Sequence, residues 1–212
     1  VSTNSKHDRT NGGSLSINVE ADEYSILHAL KVRGFTEAQP LSESTGLTTA
    51  EVEKILAKAV EDGYVKHRTG RITGYLLTSD GRARHAKLRA DVLTADEISA
   101  LEPAYESFLA PNKEFKAVTT DWQLVAAGDI GMVLPRLTTV HEQLSSVLTS
   151  ASSAMKRFAY YQPRFDRAFD AFSNGDGKAL AAPMTDSYHD VWMELHEDLL
   201  TTLGHERTDK DE

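Results

Sequence analysis

Seven Lys and Arg side chains and a single Asp fall within "GYVKHRTGRITGYLLTSDGRARHAKLRA", residues 63–90, of a chain whose formal net charge is -9. Lys66, His67, Arg68 and Arg71 crowd one turn, and the chemistry open to such a cluster is neutralisation of phosphate. Each phosphate contacted releases condensed counterions and makes binding salt-dependent. A solvated hairpin is the plainer reading of the same residues.

The stretch just before it offers a complementary surface. In "TTAEVEKILAKAVEDG", Thr48 or Thr49 can cap a helix, and the free amides and hydroxyls of its first turn can hold phosphates. Lys54 can reach a backbone or base edge, Glu53 can accept from cytosine N4, and Lys58 lies one turn further on. Glu51 and Glu53 weigh against this reading, because Glu more often pairs with a Lys on its own helix. The candidates for nucleic-acid contact are therefore Thr48, Thr49, Glu53, Lys54, Lys58, Lys66, Arg68 and Arg71.

Other chemistries fare less well. His141-Glu142 and His196-Glu197 each lack a histidine four residues on from the first, with Ser145 and Leu200 standing there, so the H-E-x-x-H zinc motif is absent. Asp186, His189, Glu194 and His196 have helical spacing that permits a metal cluster, but capping and interface roles are commoner. No metal and no cofactor are expected. "SNGDG" lacks the alternating acidic ligands of a Ca²⁺ loop and reads as a helix-ending turn. There is no P-loop, G-x-G-x-x-G or G-x-S-x-G, so nothing supports catalysis. The aromatic residues of the second half read first as core. Tyr161, Arg164, His189 and Trp192 are the candidates should they also line a cavity for an aromatic or acyl effector.

The elements that must carry these residues follow from periodicity. "DEYSILHALKVRG" places Tyr24, Leu27, Leu30 and either Ile26 or Val32 at helical spacing, and Gly34 ends it. A short helical segment around Pro40 runs to Thr45, and Gly46 turns the chain. Val52, Ile55, Leu56, Ala59 and Val60 then make a buried stripe. Tyr64–Arg68 and Gly74–Thr78 read as a hairpin, and Thr78 is placed to cap the next helix.

Residues 91–212 show no strand pattern. Helices are expected over Ala95–Leu109 and Glu114–Leu124. Another carries Met132, Leu137, Val140, Leu144 and Leu148, with Pro135 in an early turn. A third stripe takes Phe158, Tyr161, Phe165, Ala168, Phe169 and Phe172. The last helix stacks Tyr188, Val191 or Trp192, Leu195, Leu199 and Leu203.

Through "STGLTTAEVEKILAKAVEDGYVKHR" and "YLLTSDGRARH" the chain resembles winged helix-turn-helix bacterial transcriptional regulators of the MarR/PadR-like kind. The ending "TDSYHDVWMELHEDLLTTLG" is similar to that of actinobacterial members with a C-terminal helical domain. The resemblance covers residues 22–90. It implies that the second helix of the pair enters the major groove of double-stranded DNA and that the hairpin is the wing touching the backbone. It also implies a one-component regulator, and a dimer doubles the footprint of one winged helix. A protein–protein adaptor whose winged helix no longer binds DNA is the alternative.

Bulk properties fit that frame. Residues 20–90 hold 11 basic and 10 acidic side chains, whereas residues 91–212 hold 10 and 21, so nucleic-acid contact is expected only in the first portion. Polar residues 1–18 read as a disordered arm and not a signal peptide. No apolar run is long enough for a membrane span, and the lack of Cys suits a reducing cytoplasm. The expected fold is mainly α: a winged helix-turn-helix with a two-stranded wing over residues 19–90, then an all-helical bundle over 91–212 for homodimerisation and an effector.

Overall fold

The structure, a computed structural model, describes residues 12–206, with side chains from residue 19 onward. Those residues form a mainly helical protein with one two-stranded antiparallel sheet. The chain divides into two compact units after Val92. Of the arm expected over residues 1–18, residues 1–11 lie outside the described residues, and helix α1 already begins at Gly12. No helix among the described residues is long and apolar enough to cross a membrane.

The first unit runs α1 (Gly12–Arg33), α2 (Ala38–Thr45), α3 (Thr49–Glu61), β1 (Val65–Arg68), β2 (Gly74–Leu77) and α4 (Ser79–Val92). Tyr24, Ile26, Leu27 and Leu30 of α1 are buried with Leu41, Val52, Leu56, Val65, Leu77 and Leu88. Pro40 falls in the first turn of α2, where its missing N–H costs nothing. Gly46 ends that helix with φ 75°, the left-handed conformation that a side chain would resist. The stripe on α3 is narrower than its sequence suggests. Ile55 is only partly buried and Val60 is 37% exposed, because Val52, Leu56 and Ala59 alone face the core.

β1 and β2 pair with Val65 opposite Leu77 and Arg68 opposite Gly74. The other edge of β2 is covered too. Tyr75 exchanges both backbone hydrogen bonds with Thr36, at 2.7 and 3.1 Å, so the link between α1 and α2 serves as a one-residue third strand. This pairing has no periodic signal in the sequence.

The hairpin is joined to α4 by a tight junction. Thr78 Oγ1 donates to the Gly63 carbonyl at 2.7 Å and accepts from the Gly81 amide at 3.0 Å, capping α4. The Thr78 amide donates to the Tyr64 carbonyl at 3.0 Å. Gly81 sits so close that a Cβ there would lie 1.9 Å from the Tyr64 oxygen.

The second unit contains α5 (Ala95–Leu124), α6 (Ile130–Ala154), a 3-10 turn (Lys156–Tyr160), α7 (Gln162–Ser173), α8 (Lys178–Ala181) and α9 (Tyr188–Leu203). No strand follows Leu77 among the described residues. The two helices expected before Leu124 are one. Leu101, Ala104, Phe108, Phe115 and Val118 keep a single buried face past Pro103 and Pro111, so packing outweighs the backbone bonds lost at each proline. Val133 takes the buried place expected for Met132, which is 53% exposed. Val191 and Trp192 are both buried in α9, not one or the other. A capping box between Ser187 and Asp190 starts that helix.

Replacing Gly81 by Ala forces the Tyr64 carbonyl away from Thr78. We expect a loss of about 3 kcal/mol, the upper end of overpacking costs, measured by chemical denaturation.

Candidate functional site

The hairpin presents its cations to solvent. Lys66, His67 and Arg68 are all exposed on β1, and His67 stacks on Tyr75 with ring centroids 4.3 Å apart. The connecting turn is exposed throughout, with Arg71 beside Ile72, which is 70% exposed. Among the described residues no carboxylate lies within ion-pair distance of Lys66, Arg68 or Arg71. Arg84 behaves differently. It clamps Glu23 of α1 through two hydrogen bonds, at 2.9 and 2.5 Å, and is spent inside its own unit.

The five candidates of α3 and its cap divide. Thr48 is the N-cap: its hydroxyl accepts from the Glu51 amide, and the Glu51 carboxylate accepts from the Thr48 amide at 2.8 Å and hydroxyl at 2.6 Å. These bonds hold the Glu51 carboxyl below the usual carboxylate range. The acidity that counted against DNA contact is, at Glu51, a capping device. Thr49 Oγ1 donates to Gln39 of α2 at 3.3 Å. Lys58 is held by Asp62 at 2.6 Å and Glu61 at 3.4 Å, first the Asp62 bond and then the Glu61 bond raising its pKa. Glu53 and Lys54 are exposed and have no such engagement among the described residues.

In the helical unit the effector candidates fall in two pairs: Arg164 lies over the Tyr161 ring at 5.9 Å, while His189 and Trp192 pack on Phe115. Arg164 is 6% exposed and saturated by carboxylates, through Asp186 and through two bonds to Glu194 at 2.8 and 2.9 Å. Trp192 is buried and donates from Nε1 to Asn112 Oδ1 at 2.8 Å. Tyr161 is buried and donates to Asp198 Oδ2 at 2.8 Å, and burial raises its pKa far above the usual phenol range. His189 is half-buried near Phe115. None of the four borders either of two concavities in this unit. One is a groove of about 330 Å³ between Ser107–Pro111 and Gln143–Ser150, and the other is about 290 Å³ beside α7 and α8. Tyr161, Arg164 and Trp192 are buried and hydrogen-bonded within the unit, and His189 is half-buried.

The helical spacing of Asp186, His189, Glu194 and His196 misleads for the same reason. Both carboxylates point at Arg164, and His196 is buried against Phe108. Among the described residues no group of three His, Asp or Glu side chains is arranged to hold a metal ion.

Polar groups that sequence reading passed over are buried instead. His28 Nδ1 lies 3.1 Å from His85 Nε2 and 3.3 Å from the Tyr24 hydroxyl, joining α1 to α4. Tyr24 and His28 stand four apart on the buried face of α1, a spacing that was visible. Nothing local pointed to His85. Asp198 accepts from Arg157 at 2.5 and 2.7 Å as well as from Tyr161, so its charge is fully compensated.

No protein-family model matches the chain, and no curated protein matches its sequence.

His141 stacks on Phe169 at 4.3 Å, bonds the Tyr188 hydroxyl at 3.2 Å, and has Asp166 at 3.4 Å from its other nitrogen. Burial lowers its pKa from the ordinary 6.5, and the Asp166 charge only partly opposes that. The unfolded chain therefore takes up a proton that the folded chain refuses. The stability this group contributes is complete above pH 6.5 and is lost as pH falls through the window below it. Urea melts at neutral pH and at pH near 5.5 should show a smaller loss on acidification for His141→Phe than for the wild type.

Proposed function

We propose that the first unit is a winged helix-turn-helix and that the chain is a sequence-specific, homodimeric DNA-binding transcriptional regulator of the MarR/PadR-like kind. The observation that carries the proposal is the hairpin, where Lys66, Arg68 and Arg71 stand exposed with no carboxylate of the described residues within ion-pair distance. The order α1–α2–α3–β1–β2–α4 supports it, as does the Thr36 bridge that fixes the hairpin against the start of the helix pair. In this reading α3 lies in the major groove, Glu53 and Lys54 reach base edges, and the wing holds backbone phosphates. Thr48, Thr49 and Lys58 shape and cap the helix.

A second reading, a winged helix that binds a protein instead of DNA, is favoured by one observation. From Glu37 to Asp62 the chain carries six acidic and two basic side chains, and Lys58 is already paired. A polyanion would approach this face only if the wing supplied the attraction.

The two readings separate by fluorescence anisotropy on a specific and a scrambled duplex across salt concentrations. For a DNA-binding wing, Arg68→Ala and Arg71→Ala weaken binding to both duplexes and flatten the salt dependence by about one unit per lost contact. Lys54→Ala and Glu53→Gln instead change the ratio between duplexes. Wing variants with full affinity at every salt concentration would leave the adaptor reading standing.

The homodimer is proposed to form through the helical unit. Most of its apolar surface is consumed by its own core, but Leu124, Val125 and Met132 are 79%, 58% and 53% exposed around the turn from α5 to α6. Light scattering should give a dimer at micromolar concentration, and Leu124→Glu should shift it toward monomer. A wild-type monomer would defeat this part of the proposal.

A further inference from the structure

The concavity of about 290 Å³ in the helical unit has a lining that none of the roles above uses. Ala168 and Ala171 from α7 and Ala179 from α8 line it with methyl groups. Arg167 and Lys178 border it as cations, and Asp176 and Asp186 as anions. Arg167 is 70% exposed and approaches Asp186 only at 3.9 Å. Lys178 has no ion-pair partner among the described residues. Asp176 accepts one bond, from the Lys178 amide at 3.0 Å through Oδ1.

The wall formed by the loop into α9 is strained. Asp186 in this wall, and Met184 two residues before it, take φ values of 58° and 60°, left-handed conformations that side chains resist. Each such residue costs on the order of 1–3 kcal/mol and persists only where neighbours hold it. Here Arg164 grips Asp186, and the Thr185 amide donates to the Asp190 carboxylate at 3.0 Å. A strained, well-anchored wall beside an open cavity is a recurrent feature of ligand sites.

The lining narrows the ligand. A simple anion would meet Asp176 and Asp186, and a simple cation would meet Arg167 and Lys178. A neutral apolar molecule would leave Arg167, Lys178 and Asp176 unanswered against only three methyls. The volume of about 290 Å³ lies just below the roughly 300 Å³ at which drug-sized ligand pockets begin, which restricts the ligand to a small molecule. We propose that this cavity binds a small aliphatic α-amino acid as its zwitterion. The carboxylate lies between Arg167 and Lys178, the ammonium faces Asp176, and the side chain rests on the alanine methyls. The site lies wholly within the helical unit and does not depend on the DNA-binding reading.

Calorimetric titration of the full chain with L-alanine and L-valine tests the assignment, with N-acetyl-L-valine and L-valinamide as charge-deleted probes. Saturable binding is expected for at least one of the two amino acids. Both charge-deleted probes should bind about tenfold or more weakly, since each lacks one charge-assisted contact. Arg167→Ala and Lys178→Ala, both at exposed positions, should each lower affinity about tenfold while the ligand-free melting temperature stays put. The proposal is overturned by the absence of saturable heat for both amino acids up to about 10 mM, a range that reads even weak sites. Equal binding of either charge-deleted probe, or unchanged affinity in both variants, overturns it as well.

Discussion

The Tyr64 carbonyl is the point on which the first unit turns. It accepts the Thr78 amide across the sheet and touches Gly81 where α4 begins. Three elements meet there: the chain leaving α3, the closing strand of the hairpin, and the first turn of α4. Only a residue without Cβ lets the helix start so near the strand, and only a hydroxyl at 78 both caps that helix and bonds back to Gly63. The direction in which the hairpin projects from α3 follows from this junction and from the Thr36 bridge on the far edge of β2. A basic turn is useful as a wing only if its projection is fixed.

Charge in this unit is sorted by what it can reach. Arg84 is consumed by Glu23, Lys58 by Asp62, and Glu51 by the cap of α3. The hairpin keeps Lys66, Arg68 and Arg71 exposed, beside a helix pair that is acidic overall. Attraction to a polyanion, on the DNA-binding reading, comes from the hairpin, while the helix adds contacts at short range where base edges can offset its acidity.

The helical unit handles charge differently, by burying it in satisfied groups. Arg164 with Asp186 and Glu194, and Arg157 with Asp198, Tyr161 and Thr202, carry ionised side chains into the core. Buried ions are tolerated when their hydrogen-bonding capacity is filled, and removing one partner strands the others. These clusters tie the segment from Arg157 to Arg164 to α9. They also hold the left-handed backbone at Asp186 that walls the small cavity.

The sequence by itself determined what depends on neighbours along the chain. The helix order of the first unit, the hairpin, a cap at Thr48 or Thr49, the stop at Gly46 and the apolar face of α9 rest on periodicity and on backbone groups satisfied within a few residues. The cationic turn was legible for the same reason, since charge density is a local property. Tertiary structure alone decided which of those charges are free. Arg164 looked like a ligand contact until Asp186 and Glu194, 22 and 30 residues away, closed on it. Two helices were expected on either side of Pro111, yet a continuous buried face joins them into one. Val60 and Met132 fit apolar stripes whose width only packing could set. Thr36 pairs with Tyr75 39 residues away in sequence, His28 with His85 across 57, and Trp192 with Asn112 across 80. Such contacts leave no periodic trace, because nothing between the partners constrains either of them until the chain has folded.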